Sequence, residues 1–268
     1  GLASGTNLTV NSASAAINAN QTVANLNGSG GTVTVGSGNT LTVSNGGTYS
    51  GSINGAGALK VSGGTETLSG ANNYSGGTEV DAGATLSIAS AGTLGSGALA
   101  LVGSPSVAAT LSTTATMNIA NSISVTGDPI FNVAPATTTT ISSAITGTGD
   151  VEVSGGGTLN LTAANSYTGP TIVDAGSTLA LSGSGAVATS SGVAANGTFD
   201  ISATTSGASV KTLSGSGSVV TASGKNLTLT AAADTFSGAI SGAGGVTVAG
   251  GTETVSYTHL TLPTIYSV

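Results

Sequence analysis

Asp81 and Asp174 are the carboxylates whose setting comes closest to a catalytic pattern, each standing in the tetrapeptide V-D-A-G at residues 80–83 and 173–176. Paired carboxylates divide acid and base roles in glycoside cleavage, and such sites add Lys or Arg where negative charge develops. The rest of that equipment is sparse. Ten carboxylates are scattered singly along 268 residues, with no Arg, three Lys (Lys60, Lys211, Lys225) and one His, His259. The two aspartates are 93 residues apart in sequence, several layers of any stacked fold. An Asp followed by a small residue and Gly is a turn former whose side chain bonds the backbone two residues on. That is the role expected of Asp81 and Asp174.

Other constellations are no closer to a reactive centre. Gly147-Thr148-Gly149-Asp150 with Glu152 invites a calcium reading, but the calcium-binding nonapeptide places its Asp two residues after the Gly and repeats in tandem. Here Asp150 follows Gly149 directly, and the related segments carry Ala58 and Gly245 instead. No G-K-[ST] marks a phosphate loop. Ser and Thr are abundant without a neighbouring base to activate them. Tyr74 and Tyr167 could stack on a sugar; the expectation is that each covers the apolar end of a layer and keeps its hydroxyl in water. No catalytic residue, cofactor or metal is expected, and the chain is not read as an enzyme.

A net charge of −7 leaves no basic patch, which excludes nucleic-acid binding by phosphate neutralisation and gives no attraction to anionic lipid. The absence of Cys fits extracellular bacterial proteins that avoid thiols and is also compatible with any other compartment. No apolar run is long enough to cross a bilayer as a helix.

The elements that hold these residues announce themselves by repetition. Tyr74 to Ile88 reads YSGGTEVDAGATLSI and Tyr167 to Leu181 reads YTGPTIVDAGSTLAL, identical at nine of fifteen positions. Ile53 to Leu68 (INGAGALKVSGGTETL) returns as ISGAGGVTVAGGTET from Ile240 to Thr254, with a diverged version, ITGTGDVEVSGGGTLNL, from Ile145 to Leu161. Self-similar units of this kind stack because none buries its apolar face alone. Segments such as TVTV (32–35), TLTV (40–43), LKV (59–61), VEV (151–153), LNL (159–161) and NLTL (226–229) alternate apolar with polar residues between Gly, Asn and Ser. That is the period of short half-buried strands. Ser104 to Thr116 is Ala- and Thr-rich, but Pro105 and its β-branched residues argue against a helix.

Gly-rich corners and few large side chains favour a solenoid over a sandwich, whose core needs bulk. Burial is expected from many thin layers of Val, Leu, Ile and Ala. At roughly twenty residues per turn and about 4.8 Å rise, residues 1–254 make about a dozen turns and a rod on the order of 60 Å long. Val80, Leu86, Val151, Val153, Leu159, Leu161, Val173 and Leu179 are expected to point inward.

The units Leu68–Ile88 and Leu161–Leu181 resemble the autotransporter-associated β-strand repeat. Its pattern of a G-x-N-x-Y-x-G corner followed by T-x-V-x-A-G-T-L is matched by Asn73, Tyr74, Gly76, Thr78, Val80, Gly83, Thr85 and Leu86. In the second unit it is matched by Asn165, Tyr167, Gly169, Thr171, Val173, Gly176, Thr178 and Leu179, so the Asn shifts by one residue between copies. The resemblance implies an all-β fold, a right-handed parallel β-helix forming a single elongated rod. It further implies the passenger of a bacterial surface or secreted protein, exported by an outer-membrane β-barrel carboxy-terminal to it in the same chain. A structural stalk that spaces or presents other domains is the function expected; an adhesin for host or matrix glycans or proteins is the alternative, and a polysaccharide lyase or hydrolase the third. Tyr74, Gly76, Asp81, Gly83, Leu86, Tyr167, Gly169, Asp174, Gly176 and Leu179 are the structural repeat positions, and equivalent residues are expected at equivalent places on their turns.

After Thr254 the repeat breaks. His259, Tyr257, Tyr266 and Pro263 cluster in the last fourteen residues, and Ser256 to Thr264 (SYTHLTLPT) resembles the translation of a transposon-type sequencing-library adapter. Residues 255–268 are therefore expected to be a non-native tail, and the sequence to be a piece of a longer protein.

Overall fold

The computed structural model of the chain describes residues 2, 3 and 5–255. The expected tail thus lies, but for Val255, outside the described residues. What is described is all-β and stacked as a solenoid, with every strand pairing parallel. Among the described residues the single helical element is a 3₁₀ turn at Ala91–Leu94, capped by Ser90. Residues 104–116, where Pro105 argues against a helix, supply the strand Ala109–Thr113.

Each turn presents three faces. Face one is a sheet of eleven strands running from Leu8–Thr9 through Gly46–Tyr49, Gly64–Leu68, Ala84–Ile88, Val151–Ser154 and Thr171–Val173 to Leu213–Ser214. A bridge from Gly215 to Phe236 carries it on to Thr235–Phe236 and Thr254–Val255. Along this face the register advances in twelve steps of 18 to 25 residues. Face two holds four strands from Ser14–Ile17 to Asn73–Tyr74, then Ala91–Leu94, then seven strands from Met117–Ile119 to Ala239–Ser241. Face three holds seven strands from Gln21–Val23 to Ile145–Gly147 and three from Ala208–Val210 to Val246–Val248. Between them, residues 166–168 continue the ladder, Ser166 donating its amide to Ile145 and Thr168 to Gly147.

Alternation sets the core. In Thr158–Leu161, Leu159 and Leu161 go inside and Thr158 and Asn160 stay at the surface, and the pattern repeats turn after turn. All eight positions expected inside are at most 1% exposed. The interior is less uniform than expected. Tyr49, Tyr74, Tyr167, Phe131, Phe199 and Phe236 are all at most 1% exposed, so the aromatic side chains among the described residues fill the core and do not rim it. In face one a single inward column runs Leu26, Gly47, Glu66, Leu86, Leu111, Phe131, Val153 and Val173. A carboxylate and a glycine stand next to each other in this otherwise apolar file.

Candidate functional site

The corner after each repeated Tyr is the geometry that the two units share most closely. Tyr74 and Tyr167 are fully buried, and each hydroxyl lies 2.6 Å from the hydroxyl of the Thr four residues on, Thr78 or Thr171. The expectation of a wet hydroxyl is therefore corrected. The corner folds the ring inward, and the Thr that starts the next strand satisfies the phenol where water would otherwise be needed. Burial raises the pKa of both phenols, that of Tyr74 to about 12, with the Thr bond partly opposing the rise. Beyond Thr171 the chain of hydroxyls continues through Ser190, which donates to the Gly169 carbonyl.

Each Tyr is followed two residues later by a Gly with no room for a side chain. A methyl on Gly76 would lie 2.4 Å from the Gly57 carbonyl carbon, and one on Gly169 would lie 2.3 Å from the Gly149 oxygen. Gly83 and Gly176 are required for a different reason: both have left-handed backbone, φ +80° and +83°, and a methyl would meet only the Val107 side chain at 3.6 Å on Gly83 and nothing within 4 Å on Gly176. Leu86 and Leu179 sit inside on the strands that follow.

The Asn of the corner needs correction. Asn72, not Asn73, is the counterpart of Asn165, each two residues before its Tyr. Asn72 accepts from the Ile53 amide (2.6 Å) and donates to the Thr93 carbonyl (2.7 Å), so it clips together the turns before and after its own. Asn165 accepts from the Ile145 amide (2.8 Å) and donates to the Ala186 carbonyl (2.9 Å). Asn73 is exposed.

Neither repeat aspartate caps its own turn. Asp81 instead lies 2.8 Å from Lys60, which also reaches Glu79 at 2.5 Å, an outward ladder across the strands Ala58–Val61 and Thr78–Asp81. The side-chain-to-backbone turn expected of them is found at Asp200, which accepts from the Ser202 amide at 2.8 Å. On the other half of the rod Asp128, Asp150, Glu152 and Asp174 come close enough to feel one another. Desolvation, with Asp128 adding, raises Asp150; desolvation, with Asp174, Asp128 and Asp150 adding, raises Glu152. Among the described residues no three His, Cys, Asp or Glu converge as a metal site. A concavity of about 540 Å³ overlies the first turn between Leu2, Leu8, Ala15 and Ile17, and the described residues that line it carry no charge.

The passenger-associated-transport-repeat pattern matches residues 59–88 and again 151–181. The chain carries two passenger repeats. No curated protein and no solved structure matches it. Each passenger repeat spans more than one turn: residues 59–88 contribute strands to faces three, one, two, three and one in succession. Residues 151–181 begin on face one instead and continue through two, three, one and two. The second passenger repeat is thus rotated by one face relative to the first, four and a third turns further on. Equivalent residues share their local geometry but not their side of the rod, which corrects the expectation of equivalent places. At about 4.8 Å per turn, Asp81 and Asp174 are separated by about 20 Å along the axis and lie on different corners.

One recurring feature is not apparent from the repeated blocks alone. Tyr49-Ser50-Gly51 and Phe236-Ser237-Gly238 share the aromatic-Ser/Thr-Gly signature of Tyr74-Ser75-Gly76 and Tyr167-Thr168-Gly169. A methyl on Gly51 would strike the Tyr49 hydroxyl at 2.3 Å, and one on Gly238 the Phe236 ring at 2.6 Å. The ring folds under its own Gly. The signature is present in the sequence, but surrounding residues too different to align hide it.

Proposed function

We propose that this chain is a stretch of the structural stalk of an autotransporter-type passenger. In this reading it spaces or presents other domains at the bacterial surface and is exported by an outer-membrane barrel carboxy-terminal to it. The observation that carries the reading is the rotation of the passenger repeat between faces. A repeat used for recognition would have to keep its residues on one side, whereas a repeat used to build a rod can start on any face. Its repeated features are consistent with that use. Asn72, Asn165, Gly76 and Gly169 join one turn to the next, while Tyr74 and Tyr167 fill the corners between faces. A non-catalytic role is supported by the separation of Asp81 from Asp174.

The adhesin reading draws on one feature. Thr116, Thr138, Thr158, Thr178 and Thr198 form an outward column on face two over five successive turns. A displayed fusion separates the two readings. With a fluorescent reporter amino-terminal to the chain, deletion of residues 111–172 removes three turns and should bring the reporter about 14 Å nearer the membrane. The chain itself should retain no glycan or matrix protein on an array. Micromolar retention that is lost when Thr158 and Thr178 become Ala would replace the stalk by the adhesin.

A further inference from the structure

Glu66 is a feature of the repeated turns that building a rod does not explain. It shares with Glu253, its counterpart in the GGTET segment near the carboxy end, a carboxylate with no hydrogen-bond partner, and of the two only Glu66 is fully buried. Its neighbours in the inward column are Gly47 and Leu86, and it is fully buried with both carboxylate oxygens lacking any hydrogen-bond partner. Gly47 makes the space: a methyl there would lie 3.0 Å from Glu66 Oε2. Among the described residues no cation compensates. The strand Gly46–Tyr49 below offers Tyr49, itself buried, and Ala84–Ile88 above offers no titratable group. Lys60, on the adjoining strand Ala58–Val61, is turned outward to Glu79 and Asp81. In the second passenger repeat the aligned residue is Leu159, buried and apolar as the position demands.

We propose that Glu66 is a proton-operated latch on the turns formed by Gly46–Tyr49, Gly64–Leu68 and Ala84–Ile88. The protonated acid fits the apolar file above Gly47. The ionised form is a buried, unpaired charge that opens these turns and leaves the second passenger repeat closed.

The direction of the pH dependence follows from burial. Desolvation lifts the Glu66 pKa from 4.5 to about 8. A folded value above the unfolded one means that the native state holds its proton longer. Stability is full below pH 4.5 and is lost as pH rises to about 8, the opening equilibrium growing about tenfold per pH unit between those limits.

Hydrogen exchange resolved by peptide tests the latch on the whole chain, comparing the natural protein with Glu66→Gln and Glu66→Leu. Between about pH 5.5 and 7.5, after correction for intrinsic exchange, peptides 46–49, 64–68 and 84–88 should lose about a hundredfold in protection in the natural protein alone. Peptides over 151–181 should respond alike in all three. Equal pH responses in the natural protein and the Gln variant would overturn the proposal. If both variants fail to fold, carbon NMR of the Glu66 carboxyl in the natural protein decides: titration near neutrality or above supports the latch. Titration at the ordinary Glu value with the three strands still protected overturns it.

Discussion

The Tyr74 hydroxyl meets the Thr78 hydroxyl at 2.6 Å, and Tyr167 meets Thr171 at the same distance, yet Tyr74 lies on face two and Tyr167 on face three. A buried phenol cannot be left without a partner, and the Thr four residues on provides one wherever the corner sits. The corner is therefore a self-contained unit, indifferent to which face it closes.

Removing either phenol hydroxyl should cost a modest and similar amount. Tyr74→Phe and Tyr167→Phe are each expected to lower unfolding free energy by about 1–2 kcal/mol, since the Thr loses a buried partner but the ring still fills its layer. Denaturant melts of the two variants check this. A much larger loss in only one would mean that the corners are not energetically alike.

The two kinds of Gly should part company under the same substitution. Gly76→Ala and Gly169→Ala force a methyl onto backbone atoms of the turn below and should cost about 3 kcal/mol or lose the fold. Gly83→Ala meets only an ordinary contact with Val107 and Gly176→Ala meets open space, so both carry only the left-handed penalty, about 1–2 kcal/mol. Thermal melts showing the reverse order would contradict the close approach of the turns.

Asn72 and Asn165 should matter where Asn73 does not. Each clip satisfies an amide of one turn and a carbonyl of another, so replacement by Ala leaves buried backbone groups unpaired, at about 2–3 kcal/mol. Asn73→Ala, at an exposed side chain, should stay within about 0.5 kcal/mol. Chemical denaturation of the three variants distinguishes this assignment from the one that the sequence pattern suggests.

Much of the rod was legible in the sequence because period-two alternation and Gly corners are local signals. Thr158-Leu159-Asn160-Leu161 declares its inward residues without any knowledge of neighbours. The repeat also revealed which residues matter in the corner. It did not reveal partners: that Asp81 meets Lys60, or that Asn72 reaches both Ile53 and Thr93, depends on which residues fall about twenty positions away once turns are wound. The rotation between copies was hidden for the same reason. A spacing of 93 residues looks like several turns, and only the turn length of 18 to 25 residues shows that it is a whole number of strands but not of turns. Glu66 was hidden by its own pattern, since T-E-T alternates the wrong way for an apolar core.

Exchange of the two repeat blocks puts the indifference of the corner to its face to the test. Residues 68–88 and 161–181 have equal length, and their inward residues agree at Leu68 and Leu161, Tyr74 and Tyr167, Thr78 and Thr171, Val80 and Val173, and Leu86 and Leu179. Among their buried positions Gly77 (φ +92°) against Pro170, Ile88 against Leu181 and Ala84 against Ser177 differ. Each block carries its own Gly or Pro corner with it, and volume-conserving swaps such as Ile88 against Leu181 cost under about 1.5 kcal/mol. The exchanged chain should keep its far-ultraviolet circular dichroism and melt within a few degrees of the natural one. Loss of the cooperative transition would show that each block is fitted to its own face. The rotation would then be an accident of sequence spacing, and the stalk reading would lose the observation it rests on.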